Sequence, residues 1–481
     1  MKRRIALLLS LLMLCTAASV LPAFAEDALP TLKVLGTYNG HDANNDPTQK
    51  AIEEMTGYHV EYYMLPSDNA SEKLMMEIAS GVSYDILRIS PNDFRTLMEM
   101  GALLPLDDML AEYGPNLTSL ITEDAYALTR KEGRTFGLPM MTERANIGSA
   151  ILMRQDIMDA LGLALPRTKE EFRDVLLSVK QAYPDMVPFT LFNEVHVPTI
   201  LSAFDVYFNW NEVDGKLVHK VEMPQYKEYL AYMLDLYKAG LIDQDLAINT
   251  KVNVDEKFSS GKVFAIRSGW FDASTQVPAL LENVPEAAIA YLDPLEDGSG
   301  KAAIAASYAL NNVSCIPKTA ENPEHAVRFM NKKFEPDIFT YITLGVEGEH
   351  FYMEDGKYYP IMPVFSEVRG NAWWYLNSFD MTRYGDMWMA RTRRNPELGK
   401  AFDAANANFD AYAVYDPVGL APALSAVDES SQVLNQMLKD YTIQLMVGVE
   451  TLDNYDAFVK KFMDAGGRAA AEAYNEWYAN K

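Results

Sequence analysis

Over the N-terminal third of the chain, apolar residues recur with a period of two, then near 3.6, then two again, which predicts strands alternating with helices. A strand is expected over 31–36, then a helix capped by Asp46 with Pro47 in its first position and closed by Gly57. A second strand follows over 58–65, a helix over 70–80 closed by Gly81, a third strand over 84–89, and a helix opened by Asp93. Such alternation implies a parallel sheet covered by helices on both faces, with ligands bound beyond the carboxyl ends of its strands. Those ends carry Tyr38, Asn39, Ser67, Ser90 and Asn92.

A hairpin turning at 132–134 and returning over 136–139 comes next, and a first crossing between domains is expected near 142–146. Beyond it lie a helix over 156–163 stopped by Pro166 and a Thr168-x-x-Glu171 capping box that starts a helix running to about Tyr183. Further helices are expected over 224–239 and 255–260, and a buried strand over 262–268 that delivers Trp270 and Phe271 to its far end. A Gly- and Asp-rich loop covers 293–301, an apolar strand-like stretch 302–317, and a helix 323–334. From about Tyr358 the chain reads as helical and rich in Trp, Tyr and Arg, ending with helices over 454–465 and 468–479 separated by Gly466-Gly467.

The first 25 residues change the picture of where this chain works. Lys2-Arg3-Arg4, an apolar run from Ile5 to Leu21 and Ala23-Phe24-Ala25 form a cleavable secretory leader, so cleavage is expected after Ala25. Cys15 sits inside the apolar run after Leu14, which argues against lipidation. The remaining 456 residues exceed what one core organises, so two domains are expected. The net charge of −25 becomes −28 once the three leader cations are removed, and it disfavours nucleic acid and anionic lipid. Cys315 alone remains, which excludes a disulfide-stapled class. No later apolar run approaches membrane-spanning length.

Common catalytic constellations are missing: there is no His-Glu-x-x-His, Gly-x-Ser-x-Gly, dinucleotide glycine fingerprint or phosphate loop, and the six histidines lack metal spacing. Asp42-x-Asn44-x-Asp46 with Glu53 mimics a calcium loop, but Pro47 stands where the sharp turn demands Gly, and a helix cap explains the same residues. Neither metal nor cofactor is expected. Aromatic residues make up 11% of the chain, and Trp270, Trp373, Trp374, Tyr375 and Trp388 share segments with Arg267, Arg383 and Arg391. Flat rings stack on sugar C–H faces while Asn, Asp and Arg satisfy hydroxyls. Core packing is the competing role for each ring.

The segments Lys50 to Gly57, Gly81 to Ile86, Gly101-Ala102-Leu103-Leu104-Pro105-Leu106-Asp107 and Gly137-Leu138-Pro139 resemble extracellular family 1 solute-binding proteins of ABC importers. So do Asp159 to Leu163 with Pro166, Thr168 and Phe172, and the tail Gly448, Phe458 and Gly466-Gly467. The resemblance is greatest to the carbohydrate branch that includes oligosaccharide and alginate binders. It implies an α/β, two-lobed periplasmic-binding-protein-like fold (type II), with ligand held in the interlobe cleft by hinge closure. On this reading 26–143 with about 302–357 form the first lobe and about 144–301 with about 358–481 the second, the late helices being able to pack on either. The branch often carries an acidic calcium loop before a Pro-Phe strand; Pro184 to Phe189 is too short and poor in ligands for one.

Carried over residue by residue, the resemblance places Tyr38, Asn45, Asp46, Ser90 and Asn92 at the cleft from the first lobe and Arg144 at the crossing. Trp270, Phe271, Trp373, Trp374 and Tyr375 are expected from the second lobe. The function implied is a secreted, monomeric, non-enzymatic protein that delivers an oligosaccharide to ABC permease subunits. The alternatives are a peptide or charged solute in the same fold, or a secreted hydrolase or lyase.

Overall fold

The computed structural model describes residues 29–480 except 38–39, 67–68, 142–146, 193, 307–309, 381–382, 420 and 422–423. The leader, Tyr38 and Arg144 therefore lie outside the described residues. The expected N-terminal alternation is present with its ends shifted: strands Leu32–Thr37, Val60–Leu65 and Ile86–Ile89 enclose helices Pro47–Thr56 and Ala70–Ala79. Asp46 caps the first helix by accepting from Thr48 N at 2.7 Å, and Gly57 ends it in the left-handed conformation (φ 78°) that favours glycine. Ser90, rather than Asp93, opens the helix Pro91–Glu99; its hydroxyl accepts from Asp93 N at 3.1 Å while Pro91 takes the first position.

Two separate sheets carry the fold. The first has the order Val60–Leu65, Leu32–Thr37, Ile86–Ile89, Leu310–Cys315, Gly137–Met141, with only Leu310–Cys315 reversed. The second has the order Ile289–Leu292, Ser149–Arg154, Val263–Gly269, Val187–Thr190, with only Ser149–Arg154 reversed. Apolar residues cover both faces of each sheet. Val34 and Ile86 point into one core and Leu35, Leu87 and Ile89 into the opposite one, as the period of two requires. Phe172, Phe189 and Phe264 fill one face of the second sheet and Phe258, Val263 and Ile266 the other.

The reversed strands fix the geometry. Each follows a crossing: the chain leaves the first sheet at Met141 and enters the second at Ser149, and it returns from Ala306 to Leu310. Seven residues reach at most about 25 Å, so the exit edge of one sheet faces the entry edge of the other. The parallel strands of both sheets consequently end at the same gap. The molecule is a two-lobed α/β protein whose strand carboxyl ends face each other.

The late region divides between the lobes. Phe365, Trp374 to Phe379, Tyr384, Trp388 and Phe402 pack into the first lobe's core, whereas Leu434 to Met463 pack into the second's. The sequence assigned 358 onward to the second lobe while leaving the late helices able to pack on either, and the buried rings between 365 and 402 pack in the first lobe's core. This region also opens on a hairpin, Phe351–Glu354 with Lys357–Pro360, before its helices begin. Among the described residues no helix is long and apolar enough to cross a membrane.

Gly137 begins the edge strand of the first sheet, and a Cβ there would overlap the Val313 side chain and press on Phe94. Gly137→Ala is expected to cost about 1–3 kcal/mol by overpacking, read as a lower urea midpoint with unchanged slope.

Candidate functional site

Three chain segments build the second lobe's wall of the gap. Residues 191–198 leave the carboxyl end of Val187–Thr190; the hairpin Trp210–Val213 with Lys216–His219 turns on Asp214 and Gly215, both at positive φ; and the helix Ser425–Met446 presents Val427, Ser431, Leu434 and Asn435 from one side. Two cavities of about 430 and 300 Å³ lie between them and share His196, Asn209 and Asn435. The larger also meets Tyr207, Trp210, Tyr474 and Asp416, and Ala305 from the second crossing. On the same helix Asp428 lies 3.9 Å from Arg95 of the Pro91–Glu99 helix, so the first lobe touches the second at the rim of this wall.

Burial governs the charges here. His219 packs between Trp210 and Phe462, with ring centroids at 5.0 and 4.7 Å; burial, aided by the Lys220 charge, lowers its pKa to about 3. Burial, then the charges of Lys220 and Arg267, holds His196 well below the ordinary histidine range, and among the described residues His196 Nδ1 has no hydrogen-bond partner. Burial lowers Lys220 to about 8, with Glu194 opposing, and burial raises the Asp416 carboxyl. Tyr474 is pushed up to about 12 by burial and the nearby Asp416 and Asp428. The wall thus combines ring faces, amides and neutral imidazoles, a set suited to a hydroxyl-rich guest.

A second feature crosses the gap. Trp270, at the end of Val263–Gly269, meets Phe402 at 5.1 Å and Trp388 at 5.8 Å, both edge-on, so an aromatic cluster joins the lobes. One turn from Trp388, Arg391 sits over the Trp373 ring at 5.4 Å, and buried Arg88 lies 5.7 Å from the same ring. Burial lowers Arg88 to about 10.

The residues expected at the cleft fare differently. Trp270 and Trp373 are half-buried at the lobe contact, and Phe271 is 56% exposed beside it. Ser90 is the helix cap described above, and Asn92 stands exposed one turn on, accepting from Arg95 at 3.3 Å. Asn45 is exposed and donates to Asp42 at 2.5 Å, and Asp46 is a cap. Trp374 and Tyr375, each 2% exposed, belong to the core and not to the cleft wall. Trp374 Nε1 donates to Thr37 O at 3.1 Å, and the Tyr375 hydroxyl donates to Ala43 O at 3.1 Å, so their polar atoms are engaged inside. Lys220, Asn209, Trp210 and Asn435 were not foreseen. The Asp214-Gly215 dipeptide between two alternating runs was the available signal for the hairpin.

A family model described as "Bacterial extracellular solute-binding protein" matches residues 49–344, more than half of the chain. The protein belongs to this family. Its members are extracellular solute-binding proteins. An uncharacterized protein from the butB 5′ region of Niallia circulans is 39% identical over 253 residues, covering 53% of this chain and 99% of that protein. The polygalacturonan/rhamnogalacturonan-binding protein YtcQ of Bacillus subtilis (strain 168) is 23% identical over 453 residues, covering 90% of this chain and 88% of YtcQ. Among solved structures, an HMO-binding, ABC-transporter-associated solute-binding protein from Bifidobacterium longum infantis superposes with a TM-score of 0.72 at 16% identity, covering 94% of this chain and 99% of that one. This last likeness is one of fold.

Proposed function

We propose that this protein is secreted through a leader cleaved after Ala25, captures an oligosaccharide between its lobes as a monomer, and presents it unaltered to the permease subunits of an ABC importer. The observation that carries this reading is the convergence of Trp210, Tyr207 and Tyr474 with the amides of Asn209 and Asn435 on the wall where the parallel strands end. Ring faces there stack on pyranose C–H surfaces, and amides exchange hydrogen bonds with hydroxyls. Contacts to both lobes favour the closed arrangement, which the permease then recognises. The sugar-binding name of YtcQ and the transporter-associated title of the Bifidobacterium structure agree with it.

Thermal denaturation of the mature protein against a glycan panel tests the reading. A bound glycan at 100 times its dissociation constant adds about 2.7 kcal/mol of stability and is recovered chemically intact. A shift with peptides or amino acids and with no glycan would refute a carbohydrate cargo, and a cleaved glycan would refute a carrier role.

A further inference from the structure

The smaller cavity is positively charged inside a protein whose net charge is −25. Lys220 lines it and is only 4% exposed, yet among the described residues no hydrogen bond or ion pair engages its ammonium, which lies over the Tyr226 ring at 5.3 Å. Lys439 lines the same cavity. Among the described residues Glu194 is the one carboxylate lining it, is already held by Arg267 at 3.1 Å, and leaves Arg267 Nε unpaired in the interior. Beside them, among the described residues, His196 Nδ1 has no partner. A buried cation is retained when a counter-charge compensates it; Glu194 acts on Lys220 only at a distance, with no ion pair between them, and is shared with Arg267. The remaining acid nearby, Asp416, lines the larger cavity instead.

We propose that the guest itself supplies the missing charge: the ligand is an acidic oligosaccharide, and one of its sugar carboxylates is bound by Lys220 in the smaller cavity while neutral rings of the chain occupy the larger one. This rests on the oligosaccharide reading and narrows it to carboxylate-bearing sugars. A carboxylate fits better than an extended phosphate chain, because Lys220, Lys439 and the amides of Asn209 and Asn435 offer few donors in about 300 Å³.

The test is titration calorimetry with trisaccharides of galacturonate, glucuronate and mannuronate, each beside its fully methyl-esterified form, on wild-type protein and Lys220→Met. At least one acid is expected to bind about tenfold or more tighter than its ester, as a charged hydrogen bond implies, and Lys220→Met is expected to bring the two toward parity. Removing a buried charge leaves the variant's melting temperature unchanged or higher; Lys220→Gln serves if Met is not accommodated. Esters or neutral trisaccharides binding as well as the acids would overturn the acidic-ligand assignment while leaving the oligosaccharide reading intact. An acid preference that survives both substitutions would overturn the role of Lys220. Binding of no glycan in any arm would remove the broader reading as well.

Discussion

Trp374→Ala is expected to destabilise the first lobe by about 3–5 kcal/mol, the range for emptying a buried aromatic site. The indole has no slack around it. Its far edge lies against Gly36, where even a Cβ would overlap it, and His41, Tyr62 and Tyr375 meet it edge-on with centroids between 5.3 and 5.5 Å. The substitution also strips Thr37 O of the Nε1 hydrogen bond and removes the ring 5.4 Å from the buried Arg88 guanidinium. An orphaned carbonyl and a less shielded charge add to the cavity term. Urea unfolding followed by circular dichroism measures the loss. A cost below about 1 kcal/mol, well under the large-to-small range, together with abolished glycan binding would mean that Trp374 touches ligand instead of filling the core.

Acidification is expected to weaken the second lobe well before carboxylates titrate. The folded protein holds His219 at about 3, whereas the unfolded chain protonates it near 6.5. Between those values the unfolded state binds the extra proton, so stability is intact above about pH 6.5 and falls as the pH drops toward the folded value. By pH 5 this one residue withdraws about 2 kcal/mol. His196, lowered by the same burial and by Lys220 and Arg267, acts in the same direction. Melting curves from pH 7.5 to 5 should therefore slope downward. His219→Gln, which cannot take up a proton, should flatten that slope; an equal slope in the variant would place the acid sensitivity elsewhere.

Local chemistry made most of the framework legible. Asp46 with Pro47 and Gly57 bounded one helix correctly, and Thr168 accepts from Glu171 N at 3.2 Å to start another; the Glu171 carboxylate, though, reaches back to Arg167 N and leaves the capping box half made. The terminal helix Arg468–Ala479 falls where Gly466, at φ 129°, interrupts the preceding one. What sequence could not resolve was which ring faces which way. Trp373, Trp374 and Tyr375 lie in the 3-10 turn Ala372–Tyr375, where successive side chains point about 120° apart at 3.0 residues per turn. One therefore faces outward and the next two inward. Adjacent aromatic letters suggested a shared surface, but the turn separates them.

The cavity wall was hidden for a different reason. Asn209 and Lys220 flank the hairpin marked by Asp214-Gly215, but Asn435 lies more than two hundred residues further along the chain, and nothing in its local sequence marks it as their neighbour. Lys220 in particular follows a strand of ordinary alternation, and its significance comes only from its burial in the cavity without an ion-pair partner among the described residues. The late segment is similar. Its apolar rings were visible, but only tertiary packing decides that Trp388 and Phe402 join the first lobe while contacting Trp270 of the second.

The central claim is that a glycan is held between two lobes that close on it. Small-angle X-ray scattering of the mature protein, alone and saturated with a glycan that raises its melting temperature, tests that claim most directly. A smaller radius of gyration with the glycan bound is the expected result. An unchanged radius with the site saturated would contradict closure around the ligand.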